Sequence, residues 1–230
     1  MKRKEMKRIV VVLAAVGLMA ASAAAEDMWD PPWDVTGPGT TYQVWDFTED
    51  PDAPHIVDNP YGDPSIEWPG LVDYQNPVEG PYGDVGVWHI GGPGTEPQPV
   101  TIWVPNDPDE NEVKHIQWQI TSTGSPTPTG NQPGVTVPDP SNPGGPGIPP
   151  SGGVSHPTHP HGNTNLPNGW YQYAGYIDII PNPEGEWITF EFVPCTYIEQ
   201  IVIHTECTPE PATLSLLALG GLLTLVRRRR

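Results

Sequence analysis

Basic side chains are almost absent from the central part of this 230-residue chain. Nine of its 10 Lys and Arg lie in the first eight or the last four residues, and Lys114 is the only one between residues 26 and 208. That stretch holds 26 of the 28 Asp and Glu, which gives it a formal charge of −25, against −18 for the whole chain. Binding to nucleic acid or to anionic lipid needs clustered Lys and Arg, and a Walker phosphate loop needs its own Lys. The composition therefore argues against all three functions.

The sequence also lacks the short motifs that identify the common enzyme classes. It contains no GxSxG, HExxH, GxGxxG or CxxC pattern. A glycosidase needs only two carboxylates at a suitable separation, but no spacing among the acidic residues singles out a pair. We therefore expect that the protein is not an enzyme, with polysaccharide hydrolysis as the remaining alternative.

The first 25 residues have the three parts of a secretory signal peptide. Residues 1–8 are positively charged, residues 9–21 are apolar, and Ala23 and Ala25 complete a small-residue cleavage pattern. The apolar run is short for a bilayer core of ~30 Å. We therefore expect passage through the Sec translocon and cleavage by signal peptidase before Glu26. An uncleaved membrane helix is the alternative.

The C-terminus combines a short motif, an apolar segment and a basic end. The motif Pro209-Glu210-Pro211 is followed by an uncharged run at residues 212–226, which predicts a transmembrane helix. The last four residues form the membrane stop: Arg227, Arg228, Arg229 and Arg230. Because such arginines stay on the cytoplasmic side, the body of the protein lies outside the cell membrane.

These features, with Gly220-Gly221 inside the apolar run, resemble the PEP-CTERM protein-sorting signal of exported bacterial proteins. The resemblance covers residues 209–230 and implies recognition by an exosortase, a transpeptidase-like membrane enzyme. That enzyme would cut near the Pro-Glu-Pro motif and direct the body to the cell surface or the extracellular matrix. A plain C-terminal anchor is the alternative. The last strand and the Cys before the motif are also similar to those of surface proteins from planctomycete-type bacteria.

Short alternating segments, broken by Pro and Gly, make up the body of the chain at residues 26–208. Alternation of apolar and polar side chains is typical of strands with one buried face. Seven strands are predicted, at residues 41–47, 85–90, 100–104, 113–121, 170–180, 187–193 and 197–205. No segment of the body has a 3.6-residue apolar repeat of useful length. The pattern predicts an all-β fold, a single antiparallel β-sandwich or jelly roll.

Residues 122–168 differ from the rest of the body because Pro, Gly, Ser, Thr and Asn dominate them. Such a composition offers almost nothing to bury, so we predict a disordered or polyproline-II loop. The three strands predicted after it are too few for an independent core. We therefore expect an insertion within one domain rather than a linker between two.

Cys195 and Cys207 are the only cysteines, and they flank the last predicted strand. An exported compartment permits disulfide bonds, and closing a loop of this size would stabilise the fold by ~3 kcal/mol. A straight strand would hold the two residues ~30 Å apart. A Cys195–Cys207 disulfide is therefore expected on the condition that the chain between them bends back.

Asp107, Asp109 and Asn111 are weak candidates for a metal site. Oxygen ligands at alternate positions are typical of Ca²⁺ loops, but Glu112 stands where an EF-hand has its glycine. An acidic turn is the favoured interpretation. No cofactor is predicted beyond weak Ca²⁺ binding, which the charge of the whole body favours.

The aromatic residues suggest two functions for the body. Most of the 9 Trp fall in predicted strands and are expected in the core, but Trp29 and Trp33 lie beside carboxylates in a Pro-rich segment. Exposed aromatic rings with polar neighbours are how carbohydrate-binding modules hold sugar rings. We expect a structural or adhesive protein of the cell surface or extracellular matrix. The alternative is a carbohydrate-binding module that is retained on exopolysaccharide.

Overall fold

The computed structural model describes residues 37, 39–47, 56–70, 72–80, 85–106, 112–126, 133–142, 146–151, 153–155 and 163–209. All of them belong to one compact unit within Trp33–Arg230. They fold as antiparallel strands with a single short 3-10 helix, Pro167–Gly169, which confirms the predicted all-β class. The predicted signal peptide and the predicted helix at 212–226 lie outside these residues. Within them, no helix is long and apolar enough to span a membrane.

Thirteen strands are found in the described ranges. In chain order they are β1 (Thr40–Asp46), β2 (Ile56–Asp58), β3 (Ser65–Glu67), β4 (Val72–Glu79), β5 (Val85–Ile90), β6 (Gln98–Pro105), β7 (Glu112–Ser122), β8 (Gly134–Thr136), β9 (Val154–Ser155), β10 (Asn163–Asn165), β11 (Tyr171–Ile179), β12 (Gly185–Phe192) and β13 (Thr196–Pro209). Each of the seven strands predicted from alternation is present, with shifts of a few residues at its ends.

The larger sheet has nine strands and is built around β13. Its main order is β10-β11-β7-β13-β1-β2, with β9 on the outer edge of β11 and β4 beside β5. Strand β7 pairs with one side of β13 almost along its whole length. On the other side, β1 pairs with residues 200–206 and β5 with residues 196–198. Strand β13 is therefore covered on both sides.

The smaller sheet has the order β3-β6-β12-β8 and packs face to face with the larger one. Trp118 of β7 meets Phe190 of β12 edge-on between the sheets, with ring centroids 5.3 Å apart. The core is made of buried apolar side chains from both sheets: Trp45, Phe47, Ile90, Val100, Ile102, Val104, Ile116, Trp118, Ile120, Ile177, Ile179, Ile188, Phe190, Phe192, Ile198, Ile201 and Ile203. This arrangement is a β-sandwich.

The described parts of residues 122–168, the segment predicted as a disordered or polyproline-II loop, pair with the sheet edges. Strand β8 pairs with β12, while β9 and β10 both pair with β11. A further backbone bridge joins Val137 to Ile148. These residues bury little, but the edges of a sheet offer unpaired backbone N–H and C=O groups, and a Pro/Gly-rich chain can satisfy them. Strands after the segment pair with strands before it, β11 with β7 and β12 with β6.

Cys195 and Cys207 form no disulfide bond in the structure. The expected bridge required the chain between them to bend back, but β13 is continuous over Thr196–Pro209. At about 3.3 Å per residue, the strand separates the two cysteines by roughly 35 Å. A disulfide needs the two Cα atoms to lie within about 7 Å. This fold therefore does not contain the predicted disulfide.

Candidate functional site

The chain leaves the sandwich through the middle of its larger sheet. Thr208 and Pro209, the last two residues of β13, still pair with Val113 and Glu112 of β7. We call this place, residues Cys207–Pro209 with the side chains around them, the β13 exit. Because neighbouring strands place polar groups on both faces of the sheet here, the β13 exit is the first candidate site.

On the outer face of the β13 exit, three strands contribute to one chain of hydrogen bonds. His115 Nδ1 lies 2.7 Å from Asp178 Oδ1, and His115 Nε2 lies 2.8 Å from Thr208 Oγ1. Register explains the contact, since Asp178 of β11 is directly opposite His115 of β7. With Nδ1–H donating to the carboxylate, Nε2 accepts the hydroxyl proton of Thr208. The chain of hydrogen bonds links Thr208 of β13, through His115 of the neighbouring β7, to Asp178 of β11.

This arrangement has the order of groups that activates a hydroxyl nucleophile, a carboxylate behind an imidazole behind a hydroxyl. Acyl transfer also requires donors aimed at the oxyanion that develops. What the contacts themselves provide is positioning: they fix the side chain that directly precedes Pro209. We therefore interpret the hydrogen bonds on the outer face of the β13 exit as contacts that hold the end of β13 in place.

On the inner face of the β13 exit, polar side chains lie between the two sheets. Lys114 of β7 is directly opposite Cys207 of β13. Cys207 Sγ donates a hydrogen bond to Asn106 Oδ1 at 3.4 Å, and Asn106 Nδ2 donates to Asn182 Oδ1 and to a backbone carbonyl 3.0 Å away. Glu186 enters the same space from β12, whose residue 186 pairs with residue 104 of β6. All but Cys207 are buried.

Lys114 and Glu186 are a buried pair of opposite formal charge, both 0% exposed. Burial raises the pKa of Glu186 to about 7, although the nearby Lys114 acts to lower it. Within the described part of the chain, neither Lys114 Nζ nor either carboxylate oxygen of Glu186 has a hydrogen-bond partner. Leaving such groups charged without partners costs several kcal/mol each. The charges of Lys114 and Glu186 on the inner face of the β13 exit therefore lower the stability of the fold.

A second candidate site lies on the outer face of the smaller sheet. Trp103 and Trp187 are cross-strand neighbours with ring centroids 4.5 Å apart, and both are half-buried. In register, Ser65 flanks one ring and Thr136 the other. We call these four side chains the tryptophan row. The next row of the sheet adds two hydroxyls that are 3.1 Å apart, those of Thr101 and Thr189.

Most of the site residues predicted from the sequence lie outside the described residues. These are Ala23, Ala25, Trp29, Trp33, Asp107, Asp109, Asn111, Glu210, Pro211 and the four terminal arginines. Asp107, Asp109 and Asn111 fall between the end of β6 and the start of β7. Among the residues that the structure does describe, no three His, Cys, Asp or Glu are grouped so as to hold a metal ion. Pro209 is placed, at the end of β13.

The sequence reasoning missed both faces of the β13 exit. The inner face had a readable signal, since Lys114 has the same parity as Ile116, Trp118 and Ile120, the apolar residues of the alternation in this strand. The outer face had none, because His115, Asp178 and Thr208 meet only once the register of β7, β11 and β13 is known.

Residues 208–230 match the PEP-CTERM protein-sorting motif. Together with the sandwich and the β13 exit, this match defines a class: the chain is an exported, cell-envelope-directed exosortase substrate with a β-sandwich body. No curated protein matches the chain. The match begins at Thr208, so the sorting motif starts inside β13 itself.

Proposed function

We propose that the β-sandwich is a structural or adhesive component of the cell surface or extracellular matrix and that it works without catalytic turnover. The observation that supports this role is the position of the sorting motif, which begins within β13. A molecule held by its C-terminus transmits force into the strand to which the motif belongs. Here that strand shares 11 paired positions with β7 and 7 with β1.

Backbone hydrogen bonds on both sides of β13 make the point of attachment the best-supported strand of the larger sheet. An edge strand can be peeled away with the loss of one ladder, whereas β13 leaves only when two ladders break. The His115–Thr208 hydrogen bond holds the last residues of β13 against β7. Such an attachment suits a protein that must stay folded under load.

The proposed role is tested in the producing bacterium with three strains. The first strain lacks the gene. The second is the deletion strain supplied again with the full chain, and the third is the deletion strain supplied with a chain that ends at Pro209. We expect the deletion strain to lose cell cohesion or retention of matrix at unchanged growth. The full chain should restore both, and the chain that ends at Pro209 should restore neither. Unchanged cohesion after deletion would refute the structural or adhesive role.

The tryptophan row supports carbohydrate binding as a second candidate function. Half-buried indole rings on neighbouring strands of a sheet offer an apolar surface for the faces of sugar rings. Hydroxyls on either side, from Ser65 and Thr136, can bind sugar hydroxyls. In this alternative, the body is retained on exopolysaccharide through its smaller sheet.

Carbohydrate binding is tested with immobilised glycans and the variants Trp103→Ala and Trp187→Ala. The matched control is Tyr42→Ala, which removes an aromatic ring stacked on His204 in the larger sheet, 4.4 Å between centroids. We expect saturable binding that both tryptophan variants lose and the tyrosine variant keeps. Equal binding by all variants, or no saturable binding by the unaltered protein, would exclude this function for the tryptophan row.

A further inference from the structure

Lys114 and Glu186 face each other across the space between the two sheets. Lys114 is the only basic residue of residues 26–208, yet it lies fully inside the sandwich. Strand β7 brings it from the larger sheet and β12 brings Glu186 from the smaller one. Neither terminal group has a hydrogen-bond partner among the described residues. A purely structural pair would be expected to have its hydrogen bonds satisfied.

The third member of this group is the carboxamide of Asn106. Asn106 follows β6 directly and is 5% exposed. Its Nδ2 is held by Asn182 Oδ1 and by the carbonyl of Pro183 at 3.0 Å, while its Oδ1 points to Cys207 Sγ. Cys207 is the cross-strand neighbour of Lys114, and such neighbours have Cβ atoms about 5 Å apart. Asn106 is therefore hydrogen-bonded to the residue directly opposite Lys114, which places the carboxamide and the lysine on the same inner face of the β13 exit.

We infer that Lys114 and Asn106 form an intramolecular isopeptide bond, with Glu186 as the group that carries the proton. The bond would join the larger sheet to the smaller one at the β13 exit, next to the start of the sorting motif. It would also remove the cost of a buried ammonium group, because an amide carries no charge. The inference holds whether or not the protein is an adhesin.

The reaction needs no cofactor and no oxidant. Lys114 Nζ, as the neutral amine, attacks Asn106 Cγ, and the C–N bond of the new amide forms. One proton from Nζ passes to Glu186, and Glu186 gives a proton to Nδ2. The bond from Cγ to Nδ2 then breaks and ammonia leaves. Lysine amine and asparagine carboxamide become a secondary amide and ammonia, and Glu186 ends in the protonation state in which it began.

The surroundings favour each step. A carboxyl group whose pKa is near 7 both accepts and donates a proton at neutral pH, and burial gives Glu186 such a pKa. The two acceptors on Nδ2 hold the leaving group in place. The β-sheet and the core fix the reacting residues, which replaces the entropy loss of a bimolecular encounter.

Trypsin gives a direct test because Lys114 is the only tryptic site between Arg8 and Arg227. Trypsin does not cut after a lysine whose amine is acylated. The full chain is purified, denatured and digested. We expect that the Lys114–His115 bond stays intact, and that a digest at acidic residues yields a cross-linked peptide that contains Lys114 and Asn106, lighter than its two parts by one ammonia.

Three variants complete the test. Glu186→Gln removes the proton carrier and Asn106→Ala removes the acyl group, so in both we expect trypsin to cut after Lys114. Glu184→Gln is the matched control, since it changes an exposed carboxyl group two residues from Glu186, and it should stay uncut.

The digest of the unaltered chain tests for the isopeptide bond even if a variant fails to fold. Cleavage after Lys114 in the unaltered chain, with no cross-linked peptide, overturns the inference. So does a loss of ammonia at Asn106 that leaves Lys114 cleavable, because a succinimide at Asn106 gives the same change in mass without the new bond.

Discussion

The single lysine of residues 26–208 lies in the interior of the sandwich, where lysine is among the rarest of residues. Its position follows from β7, in which every second side chain points into the core. On the facing sheet, Glu186 follows the same rule in β12. Lys114 and Glu186 thus occupy core positions because side chains alternate along their strands. The chemistry of the β13 exit arises because these two core positions hold ionisable side chains.

The buried carboxyl group of Glu186 should make the stability of the fold depend on pH. Its pKa is about 7 in the folded protein, above the usual 4.5. Because the folded state binds the proton more tightly, this contribution is fully present below pH 4.5 and is lost as the pH rises through 7. The loss amounts to about 3 kcal/mol. Urea unfolding at pH 5 and pH 8 measures it.

Glu186→Gln should abolish this part of the pH dependence. The difference in unfolding free energy between Glu186→Gln and the unaltered protein should shift by about 3 kcal/mol between pH 5 and pH 8, in favour of the variant at pH 8. Contributions that do not depend on pH cancel in this comparison. Parallel pH profiles for the two proteins would contradict the buried titration.

Gly175 should be intolerant of a side chain because Trp118 lies over it. A Cβ at this position would overlap the indole ring, with Nε1 only 2.8 Å away. Such overlap costs about 1–3 kcal/mol, more than the ~0.5–1 kcal/mol that Ala gains over Gly in a strand. Gly175→Ala should therefore lower the unfolding free energy. Gly134→Ala is the control, since its nearest contact is at 3.8 Å, and an equal loss there would contradict this explanation.

At the scale of elements, the sequence predicted the strands in which apolar and polar side chains alternate. Strands β1, β5, β6, β7, β11, β12 and β13 all have this alternation, although in β7 the polar Gln117, Gln119 and Thr121 are buried as well. The strands that it missed lack that signal: β2 and β3 are largely exposed, and β4 contains an Asn-Pro step beside a shift in register. Strands β8 to β10 are ordered by backbone pairing at sheet edges, which composition does not reveal.

The candidate site was less predictable than the fold. The parity of Lys114 was a signal for the inner face that the sequence reasoning did not use, and no pattern indicated that Asn106 and Glu186 would lie near it. His115, Asp178 and Thr208 are likewise brought together by register alone. Alternation gives the face of each side chain, and only the pairing of strands distant in sequence gives its neighbours.

The straightness of β13 predicts that Cys195 and Cys207 are both thiols in the mature protein. The strand keeps them about 35 Å apart, so no bond between them forms without unfolding the centre of the larger sheet. In denaturant without reductant, we expect a thiol reagent to label both of the 2 cysteines of the chain. Labelling that appears only after reduction would show that the disulfide exists and that β13 is bent.

At the scale of the whole molecule, charge dominates the behaviour of the body. Its formal charge of −25 favours repulsion among carboxylates at low ionic strength. Salt shortens the range of this repulsion from about 30 Å at 0.01 M to about 8 Å at 0.15 M. We therefore expect the melting temperature to rise over this range of NaCl. A melting temperature independent of salt would contradict this view.

Calcium should stabilise the body further, since the surface is anionic. At matched ionic strength, a graded rise in melting temperature with CaCl₂ is expected from bulk charge. Asp107→Asn and Asp109→Asn should change this rise only slightly, in proportion to the charge removed. A saturable effect that either substitution abolishes would instead assign a specific site to Asp107, Asp109 and Asn111.

Sorting through the C-terminal motif is tested most directly by the location of a chain that ends at Pro209. This truncation leaves the full length of β13 and its pairing with β7 intact and removes the rest of the sorting motif, residues 210–230. We expect the truncated protein to be exported, folded and found in the medium, while the full chain is held at the cell envelope. Equal retention of both chains at the surface would contradict sorting through the C-terminal motif and, with it, the role of β13 as the point of attachment.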